Sequence, residues 1–312
     1  MSTIQIRRAE RKKAKLRLGI AGPSGSGKTM GSLKLAKGLG GRIILIDTER
    51  GSGDLYADLY DYDIITLAPP YAPKNYVDAI HAAEEAGYDT IIIDSLSHAW
   101  SDEGGLLDQA DKLSRVSKNS YTVWADLTPQ HRALVGAMLN SPANIIATVR
   151  SKQAYELEEY NDRNGNKKQR PVKIGLAPVQ REGMEYEFTV FFDVDQAHNT
   201  KASKDRTNMF KDEVFILDET IGKRIFDWLN SGKEDYDADK RRIASLLAAL
   251  GHKPETKEAY AEIVKKLTEL ELVETNYSEI IARLSVAARE AQEAQKNGNA
   301  NTNTTDTGAD VA

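Results

Sequence analysis

Eight consecutive residues, Gly22-Pro23-Ser24-Gly25-Ser26-Gly27-Lys28-Thr29, follow the spacing Gly-x4-Gly-Lys-Ser/Thr. Glycines at these places let the backbone curl until successive N–H groups face one anion. A helix beginning directly behind them adds the positive end of its dipole. The chemistry this suits is the binding of a nucleotide's phosphate chain. Lys28 is expected to reach the β- and γ-phosphates of ATP, and the Thr29 hydroxyl a Mg²⁺ ion.

Two acidic segments complete the expected site. Asp94 ends the apolar run Ile91-Ile92-Ile93. A carboxylate after an apolar strand is commonly a turn residue, but downstream of a phosphate loop it fits the Walker B role of holding Mg²⁺ through water. Hydrolysis also needs a group that orients or deprotonates water. The segment Ile46-Asp47-Thr48-Glu49 offers two acids, of which Glu49 lies beyond the strand end and is free to face the γ-phosphate. The plainer alternative is a charged loop.

The elements that must carry these residues alternate along the chain. Leu16–Ile20, Arg42–Asp47, Tyr88–Asp94 and Asn144–Val149 read as strands. Lys28–Leu39, closed by Gly40-Gly41, and Asn75–Ala86, stopped by Gly87, read as helices. Two more helical stretches fit between Gly105 and Leu139, the second interrupted by Pro129. This alternation predicts an α/β fold, a mainly parallel sheet with right-handed crossovers and ligands beyond its carboxyl ends. Antiparallel signals follow. Ala154–Tyr160 and Lys167–Ile174 flank an Asn164-Gly165 turn, and Tyr186–Val194 and Val214–Leu217 read as further strands before a helix at Thr220–Leu229. Beyond Gly232 apolar residues recur at helical spacing in Ile243–Leu250, Ala259–Leu267 and Ile280–Ala287. The expected division is a basic arm at 1–14, an ATPase core at 15–232, a helical region at 233–296 and a disordered tail at 297–312.

Composition narrows the classes. At 312 residues the chain is long enough for one sizeable α/β domain and an appendage. A net charge of −5 gives no bulk pull toward nucleic acid or membrane, so an anionic partner must meet a local basic surface. Without cysteine there is no disulfide, thiolate metal site or cysteine nucleophile, and a reducing cytoplasm fits. Met1–Arg17 lacks the apolar stretch of a secretory signal, and no apolar run is long enough to span a membrane. The five histidines have no metal-ligand spacing and read as ordinary surface or core imidazoles.

The succession GPSGSGKT, LIDTERGSGDLYADLY and YDTIIIDSLS resembles the RecA-type recombinase ATPase core. In that core the second strand ends in Asp-x-Glu and the glutamate activates water, which assigns that role to Glu49 and the magnesium role to Asp94. The segment NIIATVRSK, Asn144–Lys152, resembles the strand leading to the second DNA-binding loop, where RecA proper carries a γ-phosphate-sensing glutamine. Here Val149-Arg150 stand at that place, a departure from the pattern. The small RecA-like single-strand annealing ATPases of bacteriophages are a tighter match, from about Leu16 to Gly232. The match runs through RSK, Ala177–Gly183, Glu185–Phe188 and Ser203-Lys204-Asp205-Arg206. The last is similar to the Lys-x-Arg element of RadA relatives and implies that Lys204 and Arg206 reach a neighbouring subunit's nucleotide. Read without the family, they are solvated charges.

The resemblance further implies a filament- or ring-forming homo-oligomer on single-stranded DNA, aided by a single-strand DNA-binding protein, in the cytoplasm, the host's if the chain is phage-encoded. DNA would meet Arg150, Lys152, Lys167, Lys168, Arg170 and Lys173, with Tyr155 and Tyr160 available for stacking, although Glu156, Glu158 and Glu159 dilute the charge. A first DNA loop would fall within Ala99–Trp124, and the basic stretch Arg7–Arg17 is a second candidate phosphate binder. Two other classes compete. GPSGSGKT also suits a small-molecule kinase, and a non-catalytic nucleotide-binding assembly module needs no hydrolysis at all. The absence of an LSGGQ-like signature disfavours a transporter ATPase.

Overall fold

The computed structural model describes residues 8–115, 120–161, 167–233 and 236–302. Its strands are β1 (Arg17–Gly22), β2 (Ile43–Asp47), β3 (Asp63–Thr66), β4 (Thr90–Asp94), β5 (Asn144–Asn161), β6 (Lys167–Pro178), β7 (Val190–Val194) and β8 (Thr200–Asp205). Its helices are α1 (Lys28–Leu39), α2 (Pro73–Glu85), α3 (His98–Ser101), α4 (Leu106–Ser114), α5 (Ser120–Asn140), α6 (Glu219–Asn230), α7 (Tyr236–Ala249), α8 (Lys257–Thr268) and α9 (Tyr277–Thr302). Contacts divide the chain into one unit at 14–84 and 88–231 and another at 1–13, 85–87 and 232–312.

The larger unit is a sheet in the order β3-β2-β4-β5-β1-β7-β8, with β6 paired to the far half of β5. Neighbours from β3 to β7 run parallel, and β8 is antiparallel to β7. Every residue of β1, β2 and β4 is buried. That explains the apolar runs Ile43–Ile46 and Ile91–Ile93, since a parallel sheet is covered on both faces. Successive side chains alternate between those faces. Ile91 and Ile93 of β4 pack with Tyr76 and Ile80 of α2 and Leu134 and Met138 of α5. Ile92 between them packs with Leu33 and Leu35 of α1 and Ile225 and Leu229 of α6. Helices α1 and α6 touch at Gly38 and Gly222. A Cβ on Gly38 would lie 2.2 Å from the Glu219 carbonyl oxygen, so only glycine permits this approach.

The smaller unit is built on Ile243 and Leu247 of α7, Val264 of α8, and Ile280 and Leu284 of α9, the positions that recur at helical spacing. In the described part of the basic arm, Lys12 forms a parallel bridge with Lys233, and the Lys233 amide donates to Arg11 O at 2.9 Å.

Four local expectations differ from what forms. Pro129 does not end its helix: α5 runs through it, and both Pro129 and Ala125, whose carbonyl loses its partner, are exposed, where solvent can reach that oxygen. Val214–Leu217 makes only one bridge, Phe215 to Thr200, instead of a strand. The strand expected from Tyr186 begins at Val190, because Gly183, at φ 84°, turns Met184–Glu187 into a 3-10 helix. Helix α9 continues to Thr302, past the expected start of the tail, and residues 303–312 lie outside the described residues.

Candidate functional site

β1 ends at Gly22 and α1 begins at Lys28, so the glycine-rich loop lies at the carboxyl edge of the sheet. A Cβ on Gly22 would stand 2.5 Å from Ser26 Oγ and 2.7 Å from Val194 O, so the loop closes only over glycine. Lys28 folds back over the loop, its Nζ donating to Gly22 O and Pro23 O at 2.9 Å each. Burial lowers its proton affinity, Asp94 and Glu49 oppose that, and Arg150 adds to it. The side-chain oxygen of Ser26 is buried without a hydrogen-bond partner, packed over Gly22.

Asp94 ends β4, and β5 stands between it and β1. The Thr29 hydroxyl donates to Asp94 Oδ2 at 2.5 Å, and Thr148, from the intervening strand, donates to Oδ1 at 2.5 Å. The carboxyl is 3% exposed. Burial raises its pKa, the two threonine hydroxyls and Lys28 pull it back, and Glu49 pushes it further up. A hydroxyl beside a carboxylate is a donor set for a hard cation. Among the described residues no three His, Cys, Asp or Glu side chains form a metal cluster. A magnesium ion here would therefore be held by Thr29, Asp94, water and the nucleotide's own oxygens, which is how this cation is usually held in phosphoryl-transfer sites.

The two acids after β2 separate cleanly. Asp47 is buried and accepts from the amides of Glu49 at 2.6 Å, Gly51 at 2.8 Å and Gly53 at 3.3 Å. It shapes the loop and is not available for other work. Glu49, lifted by that loop, meets Arg150: Nε to Oε1 at 3.0 Å and the terminal nitrogen to Oε2 at 2.5 Å. Asp102 lies 4.0 Å from the same guanidinium.

Arg150 is set apart from the basic side chains expected to bind DNA. Its Cα is in register with Gly22, its amide donates to Ser97 Oγ at 2.9 Å, and its carbonyl accepts from Val179 at 2.6 Å. The structure thus places it in the phosphate-loop site, paired with Glu49. Lys152 is exposed on the continuation of β5. Lys167, Lys168, Arg170 and Lys173 lie along β6, which pairs antiparallel with β5 from Ser151↔Pro178 to Asn161↔Lys167. Their side chains, those of Tyr155 and Tyr160, and the Asn164-Gly165 turn lie outside the described residues. Most of Ala99–Trp124 is helical, and Trp100 and Trp124 stack at 5.7 Å.

His98, read from sequence as an ordinary imidazole, is part of this site. Nδ1 is 2.6 Å from Thr48 Oγ1, and Nε2 is 3.7 Å from Glu49 and 3.6 Å from Asp102. Tyr71 stacks on its ring at 5.0 Å. Burial, then Arg150, lowers its pKa, which keeps it neutral near pH 7. Thr148, Ser97 and His98 carry no motif, and the only signal for them was their place one to four residues beyond or beside a chemically loaded strand end. Beside the loop is a cleft of about 230 Å³ lined by Ser26, Gly27, Met30, Lys34, His198 and Ile216.

Lys204 and Arg206 are not near their own phosphate loop in register. Lys204 opposes Phe191, which opposes Gly19, and the Arg206 amide donates to Thr189 O, so both belong to the amino edge of the sheet. Lys204 Nζ donates to Glu185 O at 3.0 Å and also to Tyr186 O, and Arg206 donates to Tyr186 O at 3.0 Å. Arg17, expected among phosphate-binding arm residues, is instead 8% exposed. It donates to Leu16 O at 2.7 Å, Ala143 O at 2.8 Å, Leu139 O at 3.1 Å and also Ser141 O. It caps the negative end of α5, and burial pushes its pKa down to about 10.

Among solved structures, a prototypical ATPase from the type III secretion system of pathogenic bacteria is similar to this chain at 13% identity. That match has a TM-score of 0.35 and covers 86% of this chain and 79% of that one. No curated protein matches the sequence. The family model described as AAA domain (AAA_24) matches residues 14–224, which takes in the loop, both acids, Arg150 and the Lys204–Arg206 element. The chain belongs to this family of AAA-domain P-loop proteins.

Proposed function

We propose that this chain hydrolyses Mg-ATP at the Gly22–Thr29 loop and works as a homo-oligomer on single-stranded DNA, in recombination or annealing of the RecA-like phage type. The observation that carries the reading is the meeting of Lys28, the Thr29–Asp94 pair and Glu49 at one edge of the sheet. Loop amides and Lys28 bind the phosphate chain. Thr29 and Asp94 would hold the magnesium ion, which would supply positive charge against the phosphate chain. Glu49 orients a water molecule and accepts its proton as the oxygen attacks the γ-phosphorus and the bond to the β,γ-bridging oxygen breaks, releasing ADP. The apolar wall of the adjacent cleft, at Met30 and Ile216, suits the nucleotide's base.

The placement of Lys204 and Arg206 supports an oligomer. Along β1 the step to Gly22 is three residues from the level of Lys204 and five from that of Arg206, roughly 10–17 Å at strand rise. Cations at that edge serve a neighbour's nucleotide more readily than their own. For DNA, the support is the long β5–β6 hairpin, which carries Lys152, Lys167, Lys168, Arg170 and Lys173 away from the sheet edge where nucleotide binds.

The test is ATP turnover measured with and without single-stranded DNA. Turnover is expected to rise several-fold with DNA and the DNA affinity to fall steeply with salt. Turnover indifferent to DNA would favour a small-molecule kinase or an assembly module. Retained ATP binding with lost hydrolysis in Glu49→Gln separates an ATPase from a non-catalytic module.

A further inference from the structure

His98 is held at its face and at both ring nitrogens, and the groups that hold it decide where its proton sits. Its side chain is 5% exposed. Tyr71 stacks on the ring at 5.0 Å and is itself tied down by its hydroxyl, which donates to Thr48 O at 3.1 Å. Thr48 Oγ1 stands 2.6 Å from Nδ1 and accepts from the Ser95 amide at 2.8 Å. On the other side Nε2 lies between two carboxylates, 3.7 Å from Glu49 Oε1 and 3.6 Å from Asp102 Oδ2. Burial and the Arg150 guanidinium keep the ring neutral, so it carries one proton, on one nitrogen. A proton on Nδ1 would turn the bare lone pair of Nε2 toward both acids. A proton on Nε2 meets them with a donor and lets the Thr48 hydroxyl donate to Nδ1. The second tautomer satisfies both ends of the ring.

Glu49 is thus approached from two directions on one oxygen. Arg150 Nε donates to Oε1 at 3.0 Å, and His98 Nε2 faces the same atom. We propose that His98 is a positioning residue for hydrolysis: its Nε2–H draws Glu49 in by Oε1, so that Oε2 presents a lone pair to the attacking water. The proposal rests on the reading of Glu49 as the acid that accepts the water's proton, and adds to it the residue that aims that acid. A carboxylate on a flexible stem gains a defined direction only from fixed donors. Here the donor is fixed by buried groups, since Thr48 at the end of β2 and His98 at the start of α3 are 1% and 4% exposed. At 3.7 Å the contact is longer than a hydrogen bond. Closing it takes a movement of under about 1 Å, of the kind by which catalytic contacts tighten once substrate is bound.

ATP turnover of His98→Ala and His98→Gln, alone and combined with Glu49→Gln, tests this. His98→Ala is expected to lower kcat about tenfold with KM within about twofold, the signature of an interaction used in the transition state. His98→Gln, whose amide nitrogen can stand in for Nε2, is expected to stay within about threefold of wild type. In the Glu49→Gln background His98→Ala is expected to remove less than about twofold more, because a residue that acts through Glu49 has nothing left to aim. An unchanged kcat, a rise in KM alone, equal losses in the alanine and glutamine variants, or an undiminished further loss in the Glu49→Gln background would each overturn the proposal. A second readout needs no turnover. In histidine-labelled wild type, the ring ¹⁵N resonances that vanish in His98→Gln are expected to report Nε2 protonated and Nδ1 bare, and the reverse tautomer would also overturn it. If Glu49→Gln alone left turnover at the wild-type level, the reading of Glu49 would fail before His98 entered the question.

Discussion

Two arginines flank β1, Arg17 at its amino edge and Arg150 opposite its carboxyl edge, and they use the same charge differently. Arg17 is buried and gives its donors to the carbonyls of Leu16, Leu139, Ser141 and Ala143. Arg150 is partly exposed and paired with one carboxylate. A cation surrounded by main-chain oxygens of fixed elements has nowhere else to go, and it welds the end of α5 to the sheet. A cation paired to a side chain at a solvent-facing edge can trade partners. The contrast is between an edge of the sheet used for construction and an edge used for chemistry, and it arises because parallel strands bring loop amides, helix N-termini and acids together only at their carboxyl ends.

The comparison is broken first at the chemical edge. Lys28→Ala is expected to lower ATP turnover about a thousandfold, with thermal stability little changed, because a cation aimed at developing charge is lost. Turnover within a few-fold of wild type would remove the loop from the chemistry. At the constructional edge the signs reverse. Arg17→Leu is expected to cost about 3 kcal/mol of folding stability, since several buried carbonyls lose their donor at once. Denaturant unfolding measures this, and in the folded fraction nucleotide affinity should be unchanged. A stable Arg17→Leu protein with impaired nucleotide binding would erase the distinction. The smallest and sharpest effect concerns Arg206, which sits at the constructional edge but is assigned work on a neighbour's nucleotide. Arg206→Ala is expected to lower turnover about tenfold, as for loss of one charged contact. Mixing it with Glu49→Gln subunits should restore part of that activity, because some interfaces then contain both intact groups. No recovery on mixing would leave the amino edge purely architectural.

How far the residues announced this arrangement varies with how local the cause is. The phosphate loop, α1, the four central strands and the α/β class were legible, because a glycine pattern and unbroken apolar runs are consequences of backbone geometry and two-sided burial. The three C-terminal helices were legible for the same reason of periodicity. Strands β3 and β8 were not. The first is four residues with no buried position, and the second is mostly polar, so neither writes an alternating or apolar signature. Pro129 misled in the other direction, since the cost of a missing amide depends on whether the orphaned carbonyl faces water.

Within the site, sequence preferred Glu49 to Asp47 because it lies beyond the strand end. The fold adds what Asp47 does instead: three amides close on it, and the loop they form presents Glu49 to Arg150. Likewise, β5 inserts between β1 and β4, which brings Thr148 to Asp94, sets Arg150 beside Gly22, and leaves Lys204 and Arg206 toward the other edge.

The sequence by itself determined the phosphate-binding chemistry and the strands that carry it, because a loop's amides and a strand's burial are encoded within a dozen neighbouring residues. Strand order, register and the choice of partner for each charged side chain were decided only by the tertiary structure. Those depend on contacts between residues such as Glu49 and Arg150, 101 positions apart, that no local pattern constrains.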